Sequence, residues 1–201
     1  MPNVHVVVVE QSADGKLFNR GALLNIAFQE YKDTTFYCIT HDVDLNPTED
    51  TILHYYCKDV SENAVMGIYT AECNTLGGII KFQPATILQC NGFPTNFWGW
   101  GVEDKALQNR CEYYGIAITK NILCNDPKRD SYFTIFDDIK DKHQSQEFGR
   151  RTHIEYGFHR YSREVQGQYI QSSGLNTLSY TVLERKELRP AVTQLVVQIS
   201  D

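Results

Sequence analysis

Two tryptophans set between glycines and followed by two acids lie in the segment best suited to chemistry, residues 96–104, which reads Asn-Phe-Trp-Gly-Trp-Gly-Val-Glu-Asp. The indole faces of Trp98 and Trp100 suit a sugar ring, and the glycines let a ligand approach the backbone closely. Glu103 and Asp104 open a segment whose apolar residues have helical spacing, so both carboxylates belong to a first helical turn. The segment predicts a carbohydrate site. The alternative is an ordinary helix start, whose acids favour the helix dipole, with both tryptophans in the core.

A second acidic feature lies upstream, where a strand-like run ends in Asp42-Val43-Asp44 and Pro47 follows. Ligands of open α/β sheets collect at the carboxyl ends of strands, which is where Asp42 and Asp44 are expected. Two such carboxylates can converge on one hard cation, or one can bind a metal while its neighbour holds a hydroxyl. The alternative is an Asx-type turn before Pro47.

Alternating strand and helix patterns predict the elements that position these acids. Residues 4–9 form a continuous apolar run typical of a buried parallel strand. The remaining predictions are a helix at 19–31 with Leu23, Ile26 and Ala27 inward, strands at 64–69 and 78–82, helices at 84–89 and 103–114, and strands at 177–184 and 192–199 around a turn near Pro190. Residues 121–172 are more polar and irregular. The pattern indicates a nucleotide-binding α/β core followed by a more open acceptor and lid region.

Composition narrows the class of function. The 201 residues carry a net charge of −6, and no basic run exceeds Arg150-Arg151, which disfavours nucleic-acid binding. No apolar stretch approaches transmembrane length, and the N-terminus lacks a signal-peptide layout. We therefore expect the chain as given to be soluble, with any membrane anchor outside it. The six cysteines lack the spacing of a metal site, and we expect most of them to be buried apolar residues.

In the order of its motifs, the chain resembles the β-1,4-galactosyltransferase family. The matching elements are residues 6–11 (VVVVEQ), 18–28 (FNRGALLNIAF), 41–47 (HDVDLNP), 77–78 (GG), the tryptophan loop and 173–180 (SGLNTLSY). The resemblance implies an α/β, GT-A-like nucleotide-diphospho-sugar transferase fold, with a mixed central sheet flanked by helices and a C-terminal β-hairpin. One catalytic domain would span 1–201, with the donor and metal core at 1–120 and the acceptor and lid region at 121–201.

The resemblance also implies an activity. It is the inverting, metal-dependent transfer of galactose or N-acetylgalactosamine from UDP-Gal or UDP-GalNAc to a hydroxyl of a glycan acceptor, in β linkage. Asp104 would be the general base that deprotonates this hydroxyl, and Glu103 the neighbouring carboxylate that binds sugar hydroxyls. A divalent cation, Mn2+ or Mg2+, would bind Asp44 and neutralise the leaving diphosphate. The compartment stays open between the Golgi lumen and the cytoplasm.

The remaining ligand contacts also follow from the resemblance. Arg20 would contact the nucleotide, Phe18 would line the base pocket, and Trp100 would close over the donor with Gly99 and Gly101 as hinges. The full donor-binding set is Phe18, Arg20, Asp42, Asp44, Thr75, Gly78 and Trp100; the acceptor-binding set is Trp98, Trp100, Gly101 and Lys105. In family members a disulfide joins the positions of Cys38 and Cys57, and the compartment decides whether it forms here.

The chain departs from the family at the metal and donor positions. Asp137 stands where the family completes its metal site with a histidine, so the metal ligands would be Asp44 and Asp137, an all-oxygen set that favours manganese or magnesium. The alternative leaves Asp137 in a solvated loop and assigns coordination to His143 or His153. Thr75 replaces the tyrosine of galactose-specific members, which leaves room for the N-acetyl group of UDP-GalNAc.

Two further departures concern the acceptor and the first strand. Lys105 replaces an acid that contacts the acceptor sugar, which implies either an unusual acceptor, such as an acidic glycan, or a lysine that points to solvent. The family's first strand and its nucleotide segment have no counterpart before residue 4. The competing hypothesis is therefore a catalytically weak or inactive transferase fold that holds glycans on Trp98 and Trp100.

Overall fold

The computed structural model describes residues 4–70, 75–99, 101–135 and 154–200. Its strands are β1 Val6–Gln11, β2 Cys38–Thr40, β3 Leu45–Pro47, β4 Ala64–Thr70, β5 Gly78–Phe82, β6 Ala117–Leu123, β7 Phe133–Ile135, β8 Tyr180–Arg189 and β9 Val192–Ile199. Its helices are α1 Arg20–Tyr31, α2 Glu49–Thr51, α3 Pro84–Gln89, α4 Glu103–Tyr113, α5 Arg129–Tyr132 and α6 Arg163–Gln171. A π-helical turn, Ile52–Tyr56, continues α2. Strands and helices alternate through most of the chain, as an α/β fold requires.

The central sheet has the strand order β2-β5-β4-β6 and is mixed, because β4 runs antiparallel to β5 but parallel to β6. Strands β4 and β5 are buried along almost their whole length, so both faces of the sheet are covered. One face packs against α1, α3 and α4 through Phe28, Ile87 and Leu107. The acids at 42 and 44 follow β2, as predicted, although β2 is antiparallel to its neighbour β5.

A second sheet has the order β1-β9-β8, with β1 parallel to β9 and the hairpin β8-β9 antiparallel. The predicted hairpin is confirmed, and its turn includes Ala191 at a φ of 61°. The prediction that the first strand is buried is wrong, because Val6 and Val8 are 47% and 43% exposed while Val7 and Val9 pack inward. An all-apolar run does not reveal that only one of its faces is covered.

The predicted helices agree closely with the structure. Helix α1 begins after Asn19, whose side chain accepts a hydrogen bond from the Ala22 amide at 3.0 Å and so caps the helix. Of its expected inward residues, Leu23 and Ile26 are buried, whereas Ala27 is only partly covered. Helix α3 and strand β5 have the predicted bounds. Among the helices of the described ranges, none has the length and apolar character that a membrane crossing requires.

The cysteines differ from the prediction that most of them are buried. Cys90 and Cys111 lie in the apolar core beneath the central sheet, but Cys57 is exposed and two others are partly exposed. Cys38 and Cys57 are both free thiols in the structure, so the pairing implied by the resemblance is not formed.

Candidate active site

Arg20 joins the two acidic motifs of the sequence. From the first position of α1, its Nη2 donates to Asp42 Oδ1 at 2.6 Å and its Nη1 to Glu103 Oε1 at 3.2 Å. Burial lowers the pKa of the guanidinium, but the charges of Asp42, Glu103 and Asp104 outweigh burial and raise the pKa above its usual range. The structure therefore brings three predicted acidic site residues, from α4 and the turn after β2, around one permanent cation.

Asp104 has the properties of a general base. Burial raises the pKa of its carboxyl to about 6, and the neighbouring charge of Glu103 adds to the rise. Two contacts oppose this rise in pKa: the charge of Arg20 and the Lys105 amide, which donates to Asp104 Oδ1 at 2.8 Å. A carboxylate with a pKa near 6 is mostly ionised at neutral pH yet basic enough to accept a proton.

Gly77 lies directly against the Asp104 carboxyl group. A Cβ atom placed on Gly77 would lie 2.0 Å from Asp104 Oδ2, so no larger residue fits without moving the carboxylate. The Leu76 amide also donates to the Asp104 carbonyl at 3.3 Å. Within the Gly77-Gly78 pair, the second glycine has a different role, because a Cβ there would lie 2.6 Å from the Tyr69 carbonyl oxygen. The sequence pattern did not reveal the contact between Gly77 and Asp104.

Thr75 is buried at the start of the same segment, with 7% of its surface exposed. Lys120 of β6 holds its backbone, since the lysine Nζ donates to the Thr75 carbonyl at 2.7 Å and to Gln108 Oε1 of α4 at 2.8 Å. The Thr75 hydroxyl has no hydrogen-bond partner among the described residues. A buried hydroxyl left without a partner costs free energy.

Asp42 and Asp44 contact different neighbours. Asp42 pairs with Arg20, whereas the charge of Asp44 acts on Tyr69 of β4, whose pKa is raised mainly by burial and further by Asp44. This arrangement agrees with a division of roles between the two acids better than with convergence on one cation.

Strand β7 approaches Asp44 from another part of the chain. In the antiparallel pairing of β3 with β7, Leu45 lies opposite Ile135, so β7 ends opposite the residue that follows Asp44. Within 4–70, 75–99, 101–135 and 154–200, no three His, Cys, Asp or Glu side chains form a group that could hold a metal. The remaining ligand candidates, Asp137 with His143 and His153 as alternatives, lie outside the described residues.

The tryptophan loop contains several residues in the left-handed region of backbone conformation. Gly99 and Gly101 have φ values of 87° and 103°, and Val102, which precedes α4, has a φ of 66°. A β-branched residue is strained in this region, and such strain concentrates at functional sites. The Gly99 amide donates to the Phe18 carbonyl at 2.7 Å, which joins the loop to the segment before α1. Trp100 lies outside the described residues.

The other predicted contact residues differ in their surroundings. Phe18 is 56% exposed and two residues from Arg20, as a residue that contacts a nucleotide base requires. Trp98 packs against the apolar cluster between α1 and β9, which agrees with the core interpretation of this indole. The solvent orientation considered for Lys105 is wrong: only 8% of the residue is exposed, and its charge lowers the pKa of buried Glu155. Burial nevertheless dominates and raises that pKa.

The chain is similar to known glycosyltransferases along most of its length. A family model described as the N-terminal region of glycosyl transferase group 7 matches residues 3–58, and one described as the N-terminal domain of galactosyltransferase matches residues 62–134. The chain belongs to this group, the β-1,4-galactosyltransferase family. Human β-1,4-galactosyltransferase 1 is 31% identical over 201 residues, which cover 96% of this chain and 46% of the relative. For β-1,4-galactosyltransferase 7 of Drosophila melanogaster the identity is 26%, covering 92% of this chain and 55% of the relative.

The chain thus spans about half the length of the curated relatives it matches. Among solved structures, the catalytic domain of Drosophila β-1,4-galactosyltransferase 7 in complex with xylobiose matches with a TM-score of 0.73 at 24% identity, covering 98% of this chain and 81% of that chain. A mutant of that enzyme in complex with manganese, UDP-Gal and xylobiose matches with a TM-score of 0.70 and the same identity and coverage. These similarities confirm the predicted transferase fold.

Proposed function

We propose that this member of the β-1,4-galactosyltransferase family is an inverting, metal-dependent enzyme that transfers galactose from UDP-galactose to a glycan hydroxyl. The observation that carries the proposal is the carboxyl group of Asp104, with a pKa of about 6, beside the ion pairs of Arg20 with Asp42 and Glu103. Four charged groups in such a small space are costly unless they have a function.

Asp104 performs the proton transfer in this proposal. Its carboxylate accepts the proton of the acceptor hydroxyl while the hydroxyl oxygen attacks the anomeric carbon of the donor. The bond from that carbon to the β-phosphate oxygen breaks, and UDP leaves with the electron pair. Glu103, whose carboxylate is fixed by Arg20, accepts hydrogen bonds from sugar hydroxyls. General-base catalysis of this kind contributes roughly two to four powers of ten in rate.

Asp44 and Asp137 are the metal ligands that we propose. The pairing of Leu45 with Ile135 supports this assignment, because it brings the chain that leads to Asp137 alongside Asp44. Carboxylate oxygens suit Mn2+, and Mg2+ also fits such a set. The cation would stabilise the negative charge that develops on the leaving diphosphate. A related Drosophila enzyme has been crystallised with manganese and UDP-Gal.

Thr75 governs the choice of donor in this proposal. Its side chain is smaller than the tyrosine of galactose-specific members, and its buried hydroxyl has no hydrogen-bond partner within the described residues, so a 2-acetamido group that displaced the residues covering it would meet a hydrogen-bonding group. We therefore propose that UDP-GalNAc is accepted beside UDP-Gal. Turnover of UDP-Gal alone in a side-by-side hydrolysis assay would contradict this proposal.

Isothermal titration with UDP, UDP-Gal and UDP-GalNAc, each with and without manganese, tests the donor site. We expect manganese-dependent binding that is lost in Asp44→Ala and retained in the control Asp33→Ala, which removes an exposed carboxylate paired with Lys32. Absence of nucleotide binding by the wild-type chain, or equal binding without manganese, would contradict the proposal.

The glycan-binding module without turnover is not favoured. The curated relatives of this chain are galactosyltransferases. The chain also keeps Asp42, Glu103 and Asp104 around Arg20. In our proposal the acceptor is a glycan, and Trp100, Gly101 and Lys105 stay predictions for its site.

A further inference from the structure

His41 lies between the acidic turn 42–44 and the π-helical turn Ile52–Tyr56. One imidazole nitrogen, Nδ1, is 2.7 Å from the Asp42 carbonyl oxygen, and the other, Nε2, is 2.7 Å from the Tyr56 hydroxyl. The carbonyl oxygen can only accept, so Nδ1 carries the hydrogen and donates it. In the neutral imidazole Nε2 is then the acceptor, and the Tyr56 hydroxyl donates to it. Both ring nitrogens are therefore used in structural contacts.

Tyr56 is itself anchored to the central sheet. Lys81 of β5 is 3% exposed, and its Nζ donates to the Tyr56 carbonyl and to the Lys58 carbonyl, each at 2.7 Å. The same ammonium group lies 4.2 Å from the ring centre of Tyr37, which adds a cation–π contact. The turn that carries Tyr56 is thus fixed to the most buried part of the fold. π-Helical turns are rare and occur frequently at functional sites.

The contacts form a continuous chain from the core to the acids. Lys81 holds Tyr56, Tyr56 holds His41, and His41 holds the backbone of Asp42, whose side chain pairs with Arg20. The Asp42 carbonyl also accepts from the Leu45 amide at 3.3 Å, which closes the turn around Val43 and Asp44. The side chain of Val43 is 98% exposed, so packing by this residue does not fix the turn.

We propose that His41 and Tyr56 are positioning residues of the donor site, which hold the 42–44 turn so that Asp42 faces Arg20 and Asp44 faces the metal and diphosphate. This inference rests on the proposed function. In this role the two residues act through the backbone of the turn, by the contacts of His41 with the Asp42 carbonyl and with Tyr56. Without the hydrogen bonds of His41 and Tyr56, the backbone of the turn is no longer fixed, so the side chains of Asp42 and Asp44 can reorient.

Four variants test the proposal. Tyr56→Phe removes only the hydroxyl. His41→Asn keeps a donor for the Asp42 carbonyl but does not reach Tyr56, and His41→Ala removes both contacts. We expect the affinity for UDP-Gal with manganese to fall about two- to tenfold in Tyr56→Phe and in His41→Asn, and more than about tenfold in His41→Ala. The double variant His41→Asn/Tyr56→Phe should bind no more weakly than either single variant, because both remove the same hydrogen bond.

Matched controls come from the same turn. His54 donates from Nδ1 to the Asp50 carbonyl oxygen at 2.7 Å, and Tyr55 packs edge-on against Tyr132. His54→Asn and Tyr55→Phe should therefore bind the donor as the wild type does. Equal affinities in Tyr56→Phe, His41→Ala and the two controls would overturn the positioning role, as would a loss in the controls as large as in the variants.

Hydrogen exchange separates this inference from the proposed function. In Tyr56→Phe and His41→Ala, the Leu45 amide should exchange faster than in the wild type without ligand, while amides of β5 should keep their rates. If the wild type fails to bind the donor but the Leu45 amide exchanges faster in the variants, the proposed function is wrong, while His41 and Tyr56 still hold the 42–44 turn. If the wild type binds the donor and neither affinity nor exchange changes, the positioning role is wrong and the proposed function stands.

Discussion

The two larger sheets show how differently strands of similar composition are used. Strands β4 and β5 of the central sheet are covered on both sides, and Val65 is fully buried. Strand β1 of the second sheet consists mostly of valines, yet Val6 and Val8 are nearly half exposed. The candidate site is built against the first sheet, through Thr75, Gly77 and the start of α4, and against the N-terminus of α1, which separates the two sheets.

Close packing and hydrogen bonds to the central sheet are therefore concentrated around the acids of the candidate site. Asp104 is held by the glycine segment before β5, and Asp42 is held through His41, Tyr56 and Lys81, which is also in β5. The second sheet supports α1 and the tryptophan loop through its inward face only. Substitutions near β5 should therefore alter the rate of sugar transfer. Substitutions on the outer face of β1 should change neither this rate nor the stability by much.

The largest expected effect comes from Asp104→Asn. We expect turnover to fall by roughly two to four powers of ten, because the amide cannot accept the proton. Since the folded state raises the pKa of Asp104 from 3.8 to about 6, ionisation of this group destabilises the fold as pH rises through that interval. The variant should thus be more stable than the wild type by about 1–3 kcal/mol at pH 7, and not at pH 3, in urea unfolding. Lower stability at pH 7 would contradict the buried-charge argument.

Gly77→Ala should have the next largest effect on activity. The new methyl group would overlap the Asp104 carboxylate, so the base must move, and we expect kcat to fall about ten- to a hundredfold. Gly115→Ala is the control, because a Cβ there meets no atom within 4 Å although its φ of 69° makes the change strained. The control should lose stability without a comparable loss of kcat. Equal kcat values for the two variants would show that the contact with Asp104 is unimportant.

The pH dependence of the reaction tests the same carboxylate without mutation. Because Asp104 must be ionised to act as a base, kcat/KM should fall about tenfold per pH unit below pH 6 and level off above it. A profile measured with the metal at saturation separates this group from the metal ligands. Constant activity down to pH 4 would exclude Asp104 as the base.

The smallest effects compare one substitution in the two sheets. Val65→Ala in β4 removes fully buried methyl groups and should cost about 2–3 kcal/mol of unfolding free energy. Val6→Ala in β1 removes methyl groups that are already half exposed and should cost less than about 1 kcal/mol. Urea unfolding of both variants gives the comparison. Equal costs would mean that the outer face of β1 is covered in solution.

Much of the fold was predictable because local signals were strong. Pro84 at the start of α3 and the glycine after α4 gave helix bounds close to those observed, and the apolar spacing gave α1 to within one residue. Only the resemblance assigned Arg20, Asp42 and Glu103 to one site. Arg20 and Glu103 lie 22 and 61 positions from Asp42 in the sequence, and no local pattern indicates contact over such distances.

Other features depend on tertiary contacts that no local pattern encodes. The one-sided exposure of β1 is decided by what packs on each face of the sheet. The hydrogen bond of His41 depends on Tyr56, fifteen residues away in the sequence. The role of Gly77 depends on the carboxylate of Asp104, which lies in α4. The burial of Lys105, which excludes the solvent orientation, likewise depends on tertiary packing, and its charge acts on Glu155, fifty residues away in the sequence.

The parallel pairing of β1 with β9 has a consequence for how the chain acquires its structure. Val6 lies opposite Val192, so β1 finds its partner only after every residue between these two strands has been synthesised. Contacts between such distant positions form slowly, because a long loop must close before they gain any interaction energy. Until β9 is available, the valines of β1 stay exposed to solvent. A chaperone that binds extended apolar segments would therefore bind this strand during synthesis.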